Sequence, residues 1–216
     1  MHEDRALLKR WREGDGKAGE ELFRRHFADV FRFFDSKVSA HAEDLTQQTF
    51  IACLKSPEGL SREPDFRCFL FAIAWTALQR HLSGELNNEP VDFEVSSLND
   101  ITGRIGSPSS QLHHAQQSQF VHQALARLPA KQQILLEYCY WHNLDEAALA
   151  DIFGVDADTI PDLLLRARNA LRAQLTGTSP GLQTQESGDA LTNSLLQHED
   201  EDRGGVDSVD EKGKTR

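Results

Sequence analysis

Helical periodicity narrows the fold of this chain more than any other feature. From residue 4 to residue 82, and again from 112 to 175, apolar side chains recur at helical spacing, and no alternating apolar and polar run is long enough to define a strand. An all-α chain is expected. The spacing predicts helices over Asp4–Glu13, Lys17–Val38, Ala42–Lys55 and Asp65–Leu82, with breaks at Gly14-Asp15-Gly16, before Pro57 and at Pro64. In the second of these, Leu22, Phe23, Phe27, Val30, Phe31 and Phe34 form one apolar stripe. The fourth carries the most hydrophobic segment of the chain, Phe66 to Leu78.

Turn-forming residues then divide the sequence. Residues 84–111 are rich in Gly, Asn, Pro and Ser, including Leu86-Asn87-Asn88-Glu89-Pro90 and Gly106-Ser107-Pro108-Ser109-Ser110, and read as a flexible linker. Helical periodicity resumes over Leu112–Leu128, where Pro129 ends it by disfavouring α geometry in the residue before it. Ala130–Trp141, Glu146–Phe153 and Thr159–Leu175 follow as further helices. Beyond residue 175 the chain is poor in aromatics and rich in Gly, Ser, Gln and acid, so residues 176–216 read as a disordered acidic tail. The expected organisation is therefore a helical domain over 1–83, a linker over 84–111, a second helical domain over 112–175 and a tail.

The charge follows the same division. Net charge is −11, yet residues 1–83 are balanced at 13 basic and 13 acidic side chains, and most of the surplus acid lies in the linker and tail. Bulk positive charge is thus not what would draw this protein to nucleic acid. The longest apolar run, Cys68 to Trp75, is eight residues and the first residues carry no apolar stretch, which gives no membrane insertion or secretory signal and points to the cytoplasm. Cys53, Cys68 and Cys139 are odd in number and widely separated, so neither a disulfide framework nor a thiolate metal site is expected. Gly177-Thr178-Ser179-Pro180-Gly181 spells a nucleophile elbow but lacks the strand and helix such an elbow needs. His113, His114 and His122 cluster without carboxylate or thiolate companions. No catalytic residue, metal or cofactor is assigned.

The sharpest local signal is Glu146-Ala147-Ala148-Leu149-Ala150-Asp151-Ile152-Phe153-Gly154-Val155, followed by Asp156-Ala157-Asp158-Thr159-Ile160 and an amphipathic helix. A short helix, a Gly at its end, a tight turn and a capped second helix describe a helix-turn-helix, with a plain helical hairpin as the alternative. Together with Leu125-Ala126-Arg127-Leu128-Pro129, Gln132-Gln133 and Arg166-Ala167-Arg168-Asn169-Ala170-Leu171-Arg172, these residues resemble the C-terminal domain of sigma-70 family transcription initiation factors of the small extracytoplasmic-function type. Residues 5–82 resemble the N-terminal domain of the same family, through Glu13-Gly14-Asp15 and Ala42-Glu43-Asp44-Leu45-Thr46-Gln47-Gln48-Thr49-Phe50.

The resemblance implies core RNA polymerase and promoter DNA as partners, an anti-sigma factor as a further candidate, and no enzymatic activity. It places polymerase docking on one face of the third helix, where Asp44, Gln47, Gln48 and Ile51 fall at i, i+3, i+4 and i+7. The family usually has an acid where Gln48 stands. It places promoter opening on the fourth helix, where Arg67, Trp75, Arg80 and His81 are the candidate DNA contacts, Trp75 being equally suited to a core. In the helix-turn-helix the implied contacts are Thr159, Arg166, Arg168 and Arg172.

The recognition helix departs from the family. Asp158-Thr159-Ile160-Pro161-Asp162-Leu163 stands where a small residue, Thr, Val, Lys, Ser and Arg are typical. Thr159 with Asp162 still suits a capping box and Pro161 suits a first turn, but Asp156, Asp158 and Asp162 put negative charge where phosphate is usually met. Two functions are therefore expected in order: a sigma factor, and as the alternative a sigma-derived interaction regulator that has lost direct DNA readout.

Overall fold

A computed structural model describes residues 2–56, 65–85, 91–104 and 116–178. Among them the chain forms nine α-helices and no strand: α1 (His2–Arg12), α2 (Gly16–Val38), α3 (Ala42–Leu54), α4 (Phe66–Glu85), α5 (Leu98–Arg104), α6 (Gln116–Leu125), α7 (Ala130–Tyr140), α8 (Glu146–Phe153) and α9 (Ile160–Thr178). The Gly106–Ser110 stretch and the tail beyond 178 lie outside the described residues.

The N-terminal half is a four-helix unit in which α2 packs on α1 and α3, and α3 packs on α4. Asp15 starts α2 by accepting hydrogen bonds from the Lys17 and Ala18 backbone N–H groups, satisfying donors that a helix end leaves orphaned. Gly19 is required by packing. A Cβ there would lie 2.7 Å from the Trp11 ring, which rests on α2 at that point. Below it, Trp11, Phe23, Phe50 and Phe66 form a run of ring contacts, with Trp11 and Phe23 edge to face at 5.3 Å. Phe27 departs from the expected stripe: it is 45% exposed, because Leu22, Val30, Phe33 and Phe34 already fill the side of α2 that faces the core.

The C-terminal half brings α7, α8 and α9 around Leu149, Ile160, Leu164 and Leu171. Asp145 caps α8 through the Ala148 N–H at 2.9 Å, and Gly154 ends it in the left-handed region at φ 65°. That φ is what a glycine supplies without steric cost. A 3-10 turn over Ala157–Thr159 leads into α9. The helix-turn-helix reading is therefore met, with one change in its cap. Among the described residues Thr159 and Asp162 share no hydrogen bond, since Thr159 sits inside the 3-10 turn with its N–H bonded to Asp156 O.

The stretch expected to be a bare linker contains structure. Val91 to Arg104 runs as a strap whose α5 packs on α2, burying Leu98 and Ile101. Further along it, Ser96 O and Phe93 O accept the N–H groups of Ala130 and Lys131, and Ser97 bridges to Pro129. Glu94 adds an ion pair with Lys131 at 2.5 Å. The apolar residues Val91, Phe93, Leu98 and Ile101 were masked in the sequence by polar neighbours. In consequence one apolar cluster runs through both halves of the molecule.

Candidate polymerase and DNA surfaces

On α3 the helix period sorts side chains as the sequence suggested. Asp44, Gln47, Gln48 and Ile51 are exposed, while Leu45, Thr49 and Cys53 are buried against α2 and α4. The polar end of the face is pre-ordered: Gln48 Nε2 donates to Asp44 Oδ2 at 2.7 Å, and Gln47 Nε2 to Glu43 Oε1 at 3.5 Å. Thr46 and Thr49 spend their hydroxyls on carbonyls one turn back, which keeps the buried side free of unsatisfied donors. Burial pushes the Cys53 thiol up to about 12, leaving it an inert packing group.

Sequence reasoning reached Ile51 but missed the rest of the apolar end of this surface, Leu54 and Phe27. Ile51 is 47% and Leu54 57% exposed, and Phe27 of α2 stacks on Phe50 and Phe31 beside them. The signal was present in Phe23, Phe27 and Phe31, an i, i+4, i+8 series offset from the truly buried positions of α2. The whole ledge is polar at Asp44 and Gln48 and greasy at Ile51, Leu54 and Phe27, a composition suited to docking a protein.

The candidate DNA residues of α4 are distributed differently. Arg80 is exposed and His81 half-buried, its ring 4.6 Å from that of His41. Arg67 is half-buried, with Nη2 3.5 Å from Asp29 Oδ2. Trp75 is 5% exposed: it packs edge to face on Phe93 of the strap and against Phe153 of α8, so in this arrangement it belongs to the core.

In the helix-turn-helix, Thr159 and Arg166 are exposed and Arg172 is half-buried. Arg168 is held back on its own half, with Nε donating to Leu164 O at 3.3 Å and Nη1 to Tyr140 Oη at 3.4 Å. The other exposed charges are acids. Asp145, Glu146, Asp151, Asp156, Asp158 and Asp162 all reach solvent, and residues 143–165 contain no Lys or Arg. No group of three His, Cys, Asp or Glu among the described residues is placed to hold a metal, and no helix among them is long and apolar enough to cross a membrane.

These two surfaces coincide with two recognised regions. Residues 22–85 match the family model for sigma-70 region 2, and residues 120–171 match that for sigma-70, region 4. Over 179 residues the chain is 22% identical to the ECF RNA polymerase sigma-E factor of Haemophilus influenzae, an alignment covering 80% of this chain and 95% of that protein. With both regions present in order, covering more than half of its 216 residues, and a relative matched along nearly its whole length, the chain belongs to the sigma-70 family, as a factor of the extracytoplasmic-function type.

Proposed function

We propose that this protein is the sigma subunit that directs RNA polymerase to a set of promoters, docking on the core enzyme through the ledge formed by Asp44, Gln47, Gln48, Ile51, Leu54 and Phe27. The observation that carries this reading is the ledge itself. A helix buried on one side presents, on its other, an ordered polar pair followed by two large exposed apolar side chains, Ile51 and Leu54, with the exposed Phe27 of α2 beside them. Leaving those apolar groups in water is costly unless a partner covers them. Residues 1–83 supply core docking and opening of the upstream element, with Arg67, Arg80 and His81 of α4 nearest the strand that must be held. Residues 112–175 lie over the distal element, where Arg166, Arg168 and Arg172 touch backbone phosphates and fix position rather than sequence. Polymerase supplies the chemistry, so no cofactor is required of this chain, and the cytoplasm is where it works. An anti-sigma factor would act by competing for the same ledge.

The alternative, an interaction regulator without DNA readout, is favoured by the six exposed acids of the helix-turn-helix. The docking claim is tested by Asp44→Arg combined with Gln47→Ala, which should reduce co-purification with core polymerase by about tenfold, as expected for residues at the centre of an interface. Helical circular dichroism should not change, since both positions are exposed. Undiminished co-purification would contradict the assignment.

A further inference from the structure

Arg166 stands apart from the other cations of the helix-turn-helix half. It is exposed on α9 and, among the described residues, forms no hydrogen bond or ion pair, whereas Arg168 is tied to Leu164 O and Tyr140 Oη. It lines a cleft of about 100 Å³ between the strap, α7, α8 and α9. Leu135, Phe153 and Leu163 give that cleft an apolar wall, and Lys131 adds a second cation, already paired with Glu94 of the strap. Gln132 of α7 lines it too. Its Oε1 is buried and, among the described residues, accepts no hydrogen bond.

These features specify the chemistry of an occupant. The apolar wall calls for an aliphatic side chain, the unpaired guanidinium for an anion, and the Gln132 oxygen for a donor, since a buried acceptor left without one is costly. A DNA backbone offers phosphate but no N–H group. A polypeptide carrying leucine and acid offers all three, its donors being backbone amides.

The chain contains such a segment. Leu191-Thr192-Asn193-Ser194-Leu195-Leu196-Gln197-His198-Glu199-Asp200-Glu201-Asp202 places three leucines just ahead of four consecutive acids. It is also long enough to return to the cleft. α9 ends at Thr178, twelve residues past Arg166, or about 18 Å along the helix axis. The 17 residues from Thr178 to Leu195 span about 20–25 Å as a flexible chain, a match that gives a roughly millimolar effective concentration at the cleft. Asp156, Asp158 and Asp162, at the start of α9, repel the same acids and steer them toward Arg166.

We infer that residues 191–202 dock within the same molecule in the cleft between the strap, α7 and α9, with Leu195 and Leu196 against Phe153 and Leu163 and the carboxylates of Glu199–Asp202 on Arg166. Docking withdraws Arg166 from DNA. That consequence, unlike the docking itself, rests on the reading of Arg166 as a phosphate contact.

Zero-length coupling in the full chain tests the docking. Arg166→Lys keeps the charge and supplies an amine, so a carbodiimide should join position 166 to one of Glu199, Asp200, Glu201 or Asp202 within a single molecule, as read by mass mapping of the monomer. Leu195→Ser with Leu196→Ser should cut that link about tenfold, because the apolar contact holds the acids in place. Coupling of position 166 to nearby Asp162 or Glu94 alone, coupling to residues 199–202 only between molecules, or an equal yield after the leucine changes would each overturn the proposal. Duplex affinity separates docking from its consequence. Glu199→Gln, Asp200→Asn, Glu201→Gln and Asp202→Asn together should raise it about tenfold at low salt in the native chain and less than twofold in an Arg166→Ala background, since residues in contact give non-additive effects. Equal gains in both backgrounds would mean general charge repulsion rather than occupation of Arg166, and would overturn the proposal. The intramolecular link without any gain in affinity would uphold the docking and contradict the phosphate role of Arg166 instead.

Discussion

His26 is a residue whose protonation the fold controls. Its ring is buried under Phe66, with Nε2 3.0 Å from Asp4 Oδ2. Burial lowers its pKa below the ordinary 6.5, against the opposing pull of the Asp4 carboxylate. The folded state therefore holds the neutral ring, and the contribution is complete above 6.5 and lost as pH falls through the folded value, where unfolding takes up a proton. The melting temperature should fall more between pH 7 and pH 5 for the native chain than for His26→Gln, by a few degrees for a chain of this size. Parallel slopes would show that His26 is not the group responsible. At this scale the sequence was most legible on α3, where strict helix spacing separates Gln47 and Ile51 from Leu45 and Thr49. It was least legible for Trp75 and Phe27. Trp75 is buried by Phe93 and Phe153, whose approach local spacing does not record, and Phe27 is exposed because other residues of its own helix already fill the core side.

At the scale of elements, helix existence and turn chemistry were readable, since Asp15, Gly154 and Pro129 act locally. The strap was not, because four apolar residues among polar ones gain their burial only from α2, α4 and α7. The recognition helix α9 is the element whose function its own residues put in question. Its N-terminal turn carries Pro161 and Asp162, with Asp156 and Asp158 just before it, and its arginines begin only at Arg166. Helix-turn-helix proteins read bases from the N-terminal part of this helix, and phosphate neutralisation supplies most non-specific affinity. Residues 116–175 hold five basic and seven acidic side chains, so the expected outcome is that this half binds duplex DNA weakly unless polymerase holds it in place. Pro161→Lys, Asp162→Ser and Leu163→Arg together, in the full chain, should raise duplex affinity with a steeper salt dependence, by about two in the logarithmic slope. A gel-shift titration at two salt concentrations measures this. Tight, sequence-selective binding by the native chain would mean that the acids do not oppose DNA.

For the whole molecule, two helical halves were legible as separate periodic stretches, and their order matched one family. Their closure on each other was not legible, because Lys37 and Glu137 are 100 positions apart and each reads locally as a solvated charge. The same closure joins the two regions into one continuous core and leaves the exposed ledge of α3, the proposed docking surface, outside it. The central claim is that this chain confers promoter choice on RNA polymerase. Transcription from a promoter library by core polymerase, with and without the full chain, tests it most directly. The account predicts a distinct subset of promoters whose transcripts appear only when the chain is present, and lost with Asp44→Arg and Gln47→Ala. A library profile that is the same with and without the chain, at concentrations where the chain co-purifies with core, would contradict it.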